Sequence, residues 1–390
     1  MDIYLDHAAT THTDKRVMEK MVPFFTDVFG NASTPYGYGR EAEKAISIAR
    51  GQVAQAIGAN RDGIYFTSGG TESDNWAIKG IAQTAKKGHI ITSTVEHHAV
   101  LDTCEYLKTK GFDITFLPVD DKAMVSAKSV EDAIREDTIL ISIMFANNEV
   151  GTVMPIGEIG MIAKDRGIVF HTDAVQAVGH LNIDVESLGI DMLSMSAHKF
   201  YGPKGVGALY IKKGIKIGKF MHGGAQERDL RSGTINTPGI VGLGAAAELA
   251  AETMEKENAH ERALSQRLRG GLLQIPQTWF NGHETQRLPG NVNITFGGIE
   301  GEALMTHLDL NGIAVSTGSA CTSGSPHPSH VLLAMGVSTV NARGAVRFTI
   351  GRDNTEEQID AVIEKTKSAV ISIREISPLF AQYKGDKKHV

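Results

Sequence analysis

Seven short apolar runs between residues 63 and 211 constrain this chain more than any other feature. They are "GIYFTS" (63–68), "HIITST" (89–94), "FDITFLP" (112–118), "TILISIMF" (138–145), "GIVFHT" (167–172), "DMLSMS" (191–196) and "GVGALYI" (205–211). Each is nearly continuous in apolar residues and does not alternate, the pattern of strands covered on both faces. Stretches long enough for helices separate the first six, and "TESDNWAIKGIAQTAKK" (71–87) and "AVLDTCEYLKTKG" (99–111) are amphipathic. This alternation predicts an α/β fold on a mostly parallel seven-stranded sheet. The seventh run differs. Only "AHKFYGPK" separates it from the sixth, whereas a parallel crossover needs about a dozen residues or more. Strand 205–211 is therefore expected to run antiparallel to its predecessor.

Beyond residue 212 the pattern loosens. A long helical region (239–275) precedes short strands "NVNITF" (291–296), "GIAVST" (312–317) and "AVRFTIG" (345–351), then a closing helix (355–376). The expected division is a large α/β domain over 15–255 and a smaller α+β domain formed by 1–14 with 256–390. At 390 residues, 42% hydrophobic and 22% charged, the chain has the composition of a soluble globular protein. A net charge of −6 argues against nucleic-acid binding by phosphate neutralisation. The polar opening "MDIYLDHAATTHTD" does not read as a signal peptide, and "GIVGLGAAAELAA" (239–251) is too short to span a bilayer. Cys104 and Cys321 are the two cysteines, so no disulfide framework is expected and a reducing cytoplasm is the default.

Ligands of an open parallel sheet sit beyond the carboxyl ends of its strands. There the sequence places "GGTESDN" (69–75), "VEHHAV" (95–100), "ANNEVG" (146–151), "DAVQ" (173–176) and "AHK" (197–199). Gly70 and Thr71 open a helix, where N–H groups make an anion cradle; taken alone, this stretch is an ordinary helix cap. Asp173, just past an apolar strand, needs a partner if buried, and a protonated heterocyclic nitrogen would serve. Lys199 ends the sixth strand on the same edge, where desolvation would make its amine nucleophilic. Lys204 competes with it but lies in a Pro/Gly turn. Lysine, carboxylate and anion cradle match the aldehyde, ring nitrogen and phosphate of pyridoxal phosphate. His97 could stack on such a ring and move protons. No metal site is expected, because no H-E-x-x-H or paired C-x-x-C occurs. Cys321, among Ser and Gly in "STGSACTSGSPHPSH" (316–330), suits an available thiolate, whereas Cys104 suits a buried, inert position. Arg347 and Arg352 each offer a fork for a substrate carboxylate.

These stretches resemble a known family nearly end to end. "YLDHAATT" (4–11), "FTSGGTESDN" (66–75), "EHHAV" (96–100), "ANNEVGT" (146–152), "HTDAVQA" (171–177), "SAHKFYGPKGVGALY" (196–210), "RSGTINT" (231–237) and "STGSACTSGS" (316–325) are similar to the NifS/IscS group of pyridoxal-phosphate-dependent cysteine desulfurases. That group belongs to the fold-type I, class V aminotransferase-like enzymes. The resemblance implies conversion of L-cysteine to L-alanine, with sulfur held as a persulfide on Cys321. It implies a Schiff base at Lys199, Asp173 on the ring nitrogen, Gln176 on the ring hydroxyl and His97 over the ring. It implies that Gly70, Thr71, Ser196 and His198 hold the phosphate, joined by Thr234 of a second subunit in a homodimer. It further implies that Asn148 lies near ring and substrate and that Asn31 and Arg347 contact the substrate carboxylate. An iron–sulfur scaffold or a tRNA-thiolation enzyme is the implied sulfur acceptor. Selenocysteine lyases and other fold-type I enzymes are the nearest alternatives; a non-catalytic sulfur-assembly scaffold is a remoter one. Ala32, Tyr36 and Ala225 depart from the group's usual Pro, His and Gly.

Overall fold

The structure is a computed structural model that describes residues 2–318 and 328–383. Cys321 lies outside these described residues. Twelve strands occur among them: β1 (Ile3–Tyr4), β2 (Ile64–Thr67), β3 (His89–Ser93), β4 (Asp113–Leu117), β5 (Thr138–Ser142), β6 (Val169–Asp173), β7 (Met192–Ser196), β8 (Gly207–Ile211), β9 (Thr278–Asn281), β10 (Asn291–Phe296), β11 (Ile313–Ala314) and β12 (Ala345–Thr349).

All seven expected runs enter one sheet, in the order β2-β8-β7-β6-β5-β3-β4. β8 is the antiparallel member, paired with β7 on one side and β2 on the other. The tight turn Ala197–Lys199 and left-handed backbone at Tyr201 and Gly205 reverse the chain within the short connection. The other neighbouring pairs are parallel.

The continuous apolar runs are explained by cover on both faces. Along each central strand, adjacent residues go to opposite cores. Ile90, Leu140, Met192 and Leu209 pack with Trp76, Ile78 and Val100 from helices Gly70–Ala85 and His98–Lys108. Ile91, Ile141, Leu193 and Ala208 face the opposite core, with Val53, Ile159 and Leu243 from helices Gly37–Ala56, Ile156–Arg166 and Thr237–Leu272. Each such aliphatic side chain contributes roughly 1.5–3 kcal/mol by leaving water.

A three-stranded antiparallel sheet, β12-β10-β9, carries a third core, which also takes in Ile3 and Leu5 from the start of the chain. Helix Thr237–Leu272 joins the cores. Ile240, Leu243 and Ala247 near its start enter one, and Leu264, Leu268 and Leu272 near its end enter the other. Among the described residues no helix is long and apolar enough to cross a membrane.

Three details depart from expectation. The regular strand in the run 138–145 ends at Ser142: Ile143 and Phe145 N–H still donate to the His171 and Asp173 carbonyls of β6, but Met144 N–H donates to the Glu96 side chain. Only Ile313–Ala314 of 312–317 is strand, paired in parallel with β1. β9 was not anticipated; it is four residues long, half-buried and at a sheet edge, too short for a periodic signal.

Candidate active site

The carboxyl ends of β2, β3, β5, β6 and β7 and the loops that follow them converge on a cavity of about 290 Å³. Gly70, Thr71, His97, Asn148, Asp173, Gln176, Ser196, His198 and Lys199 reach it from these five segments. Arg347 joins them from β12, and Ala8 and Ala9 from the start of the chain.

Lys199 sits in the tight turn after β7, and its Nζ donates to the carbonyls of Ala8 at 2.6 Å and Ala9 at 2.8 Å. Lys204 is exposed and lines only an outer recess, with Nζ 3.4 Å from the Thr11 carbonyl. Asp173 ends β6. Its Oδ1 accepts from Val175 N–H at 2.9 Å, and no described residue donates to Oδ2. Burial raises the Asp173 pKa, opposed by His97, the Val175 amide and Lys199. His97 caps helix His98–Lys108, its Nδ1 accepting from Ala99 N–H at 3.1 Å. That bond turns Nε2 to the other side of the ring as the site of the neutral ring's proton. Burial lowers the His97 pKa, against the pull of Asp173.

Helix Gly70–Ala85 starts without a side-chain cap, so the ordinary capping pattern read at Thr71 is not what forms. Gly69 is the N-cap, with φ 154° that suits glycine. Glu72 instead accepts from Ser68 N–H and forks with Arg231. No described group accepts from the N–H of Gly70 or Thr71, so the helix start presents two donors and its positive dipole end to the cavity. A Cβ on Gly70 would lie 2.5 Å from Val175 Cγ2. Ser196 and His198 line both the cavity and the outer recess beside this helix start. Burial, then Lys199 and Lys204, push His198 down to about 4, so it is neutral near pH 7.

On the opposite side, Arg347 is buried. It donates to Asp6 Oδ1 at 2.8 Å and to the Asn148 carbonyl at 3.0 Å, and its Nε has no partner among the described residues. Gln176 donates to the Ala8 carbonyl at 2.9 Å. Arg352, the second arginine considered, binds Asp14 and stacks on Tyr201 away from the cavity.

Asn31 lies on an exposed turn, where its side chain accepts from Ser33 N–H, and Thr234 is exposed; neither lines this cavity. Ala32 is half-buried, while Tyr36 and Ala225 are exposed. Cys104 is buried, and burial pushes its thiol up to about 12, the inert cysteine expected. Reading residues singly missed the Ala8 and Ala9 carbonyls, the Asp6–Arg347 pair and Asp74, which also lines the cavity. A charged pair more than three hundred residues apart leaves no local signal.

Pyridoxal phosphate fits these residues on their chemistry. Asp173 Oδ2 is an open acceptor for a ring N–H, the uncapped helix start suits a phosphate, and Lys199 supplies an amine for an aldehyde.

Residues 3–362 match the family model described as Aminotransferase class-V. The chain is 56% identical over 379 residues to cysteine desulfurase IscS of Methanosarcina thermophila, covering 97% of this chain and 94% of that protein. It is 53% identical over 391 residues to cysteine desulfurase IscS of Clostridium botulinum strain Hall, covering 99% and 98%. A solved structure described as a NifS-like protein superimposes with TM-score 0.90 at 41% identity, over 95% of this chain and all of that one. With the family model and such relatives matching across nearly its whole length, the chain belongs to the aminotransferase class-V family, in its NifS/IscS-like group.

Proposed function

We propose that this chain is a cysteine desulfurase, taking sulfur from L-cysteine onto Cys321 and releasing L-alanine. The observation that carries the reading is the convergence of Lys199, Asp173 and the uncapped start of helix Gly70–Ala85 on one cavity. Pyridoxal phosphate, when bound, supplies an electron sink for chemistry at the substrate Cα. Lys199 would hold its aldehyde carbon, Asp173 its ring nitrogen and Gln176 its ring hydroxyl. Gly70, Thr71, Ser196 and His198 would hold its phosphate, with Thr234 reaching across a homodimer to the same group. Arg347, Asn148 and Asn31 are assigned to the substrate, Arg347 to its carboxylate.

The chain's own part is proton and thiol chemistry. Lys199 Nζ receives the Cα proton of L-cysteine and later returns it. His97 holds a proton at Nε2, facing away from its backbone bond at Nδ1. The Cys321 thiolate attacks the substrate sulfur. An S–S bond forms, and the Cβ–S bond breaks with its electron pair remaining on Cβ. A proton on Cβ then completes the methyl group of alanine. The persulfide is passed to an acceptor protein, an iron–sulfur scaffold or a tRNA-thiolation enzyme, in the cytoplasm. We assign the cofactor to a large domain over 15–255, and the Cys321 segment to a small one formed by 1–14 with 256–390.

The test is to mix the purified chain with L-cysteine and quantify alanine and protein-bound sulfane sulfur. Both should appear, and Cys321→Ser should bind the cofactor yet stop the reaction. Sulfide release by Cys321→Ser at the wild-type rate would overturn the assignment.

A further inference from the structure

Beside Asp173 lies a second buried carboxyl that the proposed reaction leaves unused. Asp74 is the fifth residue of helix Gly70–Ala85, which packs across β5, β6 and β7. His171 and Asp173 lie two residues apart on β6, and Asp173 is in register with Ser194 on β7. These three side chains therefore share the face that the helix covers. Asp74 is 1% exposed, and its Oδ1 has no hydrogen-bond partner among the described residues.

His171 Nε2 stands 3.7 Å from that oxygen but is bonded to Ser194 Oγ at 3.0 Å, and its Nδ1 is bonded to Ser142 Oγ at 2.9 Å. Burial pushes the His171 imidazole down to about 3, so this neighbour brings no positive charge. His97 and Lys199, the basic groups of the site, act on Asp173. Burial, the like charge of Asp173 and, farther off, Glu96 raise the Asp74 pKa, opposed by the Ser194 hydroxyl. Two carboxyls in one desolvated space do not both ionise readily.

We propose that Asp74 is a neutral carboxylic acid that leaves Asp173 as the single anion of the pair, and so is a positioning residue for a cationic ring nitrogen. This rests on the cofactor reading above. With a proton on Asp74 the polar chain runs in one direction. Ser194 O–H donates to His171 Nε2 and His171 Nδ1–H to Ser142 Oγ, which leaves the Ser194 oxygen open to accept from a protonated Asp74. The Ser194 and His171 hydrogens then each have an acceptor.

The test compares infrared spectra of the full-length wild type and Asp74→Asn, stripped of cofactor, at pH 7. The difference should show loss of one protonated-carboxyl C=O component and no loss of carboxylate stretch. Glu96, Glu149 and Glu261, also raised by burial, contribute equally to both proteins and cancel. Loss of a carboxylate stretch instead would overturn the proposal. Should Asp74→Asn not accumulate as folded protein, Ser194→Ala should shift the same component by removing its acceptor; an unmoved component overturns it too. In the holoprotein without cysteine, Asp74→Asn should move the pH midpoint of the visible cofactor band by less than about twofold in proton concentration. A tenfold move, about 1.4 kcal/mol, would mean that a charge had been removed, and would refute neutrality. Failure of the cofactor reading has a separate signature, no borohydride-stable label on Lys199, and leaves the infrared result standing.

Discussion

Replacing Glu227 with Ala should release the segment that leads to Thr234. Glu227, Arg228 and Asp229 all have positive φ, at 43°, 55° and 66°. Holding three non-glycine residues there costs roughly 1–2 kcal/mol each. Glu227 supplies the compensating hold. Its carboxylate forks with Arg50, at 2.7 Å from Oε1 to Nη2 and 2.9 Å from Oε2 to Nη1. Oε2 also accepts from Phe66 N–H of β2 at 2.9 Å. The two side chains are 13% and 4% exposed, so this is a desolvated pair, not a surface contact. Removing one partner of such a pair costs about 3–5 kcal/mol, because the other is left buried and uncompensated. Even the lower figure raises the population of the opened segment by roughly 150-fold. Arg228 is exposed and is a tryptic site, so limited trypsin digestion reads that opening directly. Cleavage after Arg228 should accelerate by about two orders of magnitude in Glu227→Ala, in the regime where cleavage follows the open population. If Thr234 serves the partner's cofactor, affinity for pyridoxal phosphate should fall in the same variant. A cleavage rate within about threefold of wild type would refute the idea that this carboxylate holds the strained turn.

Other outcomes follow from the same geometry. Lys199→Ala should abolish turnover and the borohydride-stable label that peptide mapping finds in the wild type; a label retained elsewhere at full yield would displace Lys199. Asp173→Ala removes a charged hydrogen-bond partner, worth about 1.5–3 kcal/mol, so the dissociation constant for pyridoxal phosphate should rise roughly 10- to 150-fold. An unchanged constant by absorbance titration would contradict its assignment to the ring nitrogen. Stability should also fall with rising pH. Burial pushes Glu149 up to about 7 and Glu96 up to about 8, both above the ordinary glutamate value. The folded state therefore binds the extra protons, and stability is lost as pH climbs from that ordinary value towards those two. Denaturation midpoints should decline from pH 5 to pH 8, and Glu96→Gln should flatten the upper part of the decline; equal slopes in both proteins would show that Glu96 is ionised throughout.

Local chemistry carried much of this protein in legible form. The seven sheet strands could be read because burial on both faces demands continuous apolar runs, and Ile90 and Ile91 illustrate it by entering opposite cores. The reversal of β8 followed from chain length alone, since eight residues cannot cross a sheet. Lys199, Asp173, His97 and Gly70 were legible because each ends or follows a strand, and parallel strands align their carboxyl ends on one edge.

What the sequence could not settle was which distant segments meet there. The strand order depends on pairing free energies between segments far apart in the chain, which no local pattern encodes. Ala8 and Ala9 matter through their carbonyls, so side-chain chemistry never flags them. Asp74 reads as an ordinary first-turn acid in the sequence. It becomes a buried carboxyl whose Oδ1 has no hydrogen-bond partner among the described residues only because helix Gly70–Ala85 packs it against Asp173 and His171, and desolvation is a property of the assembled fold alone.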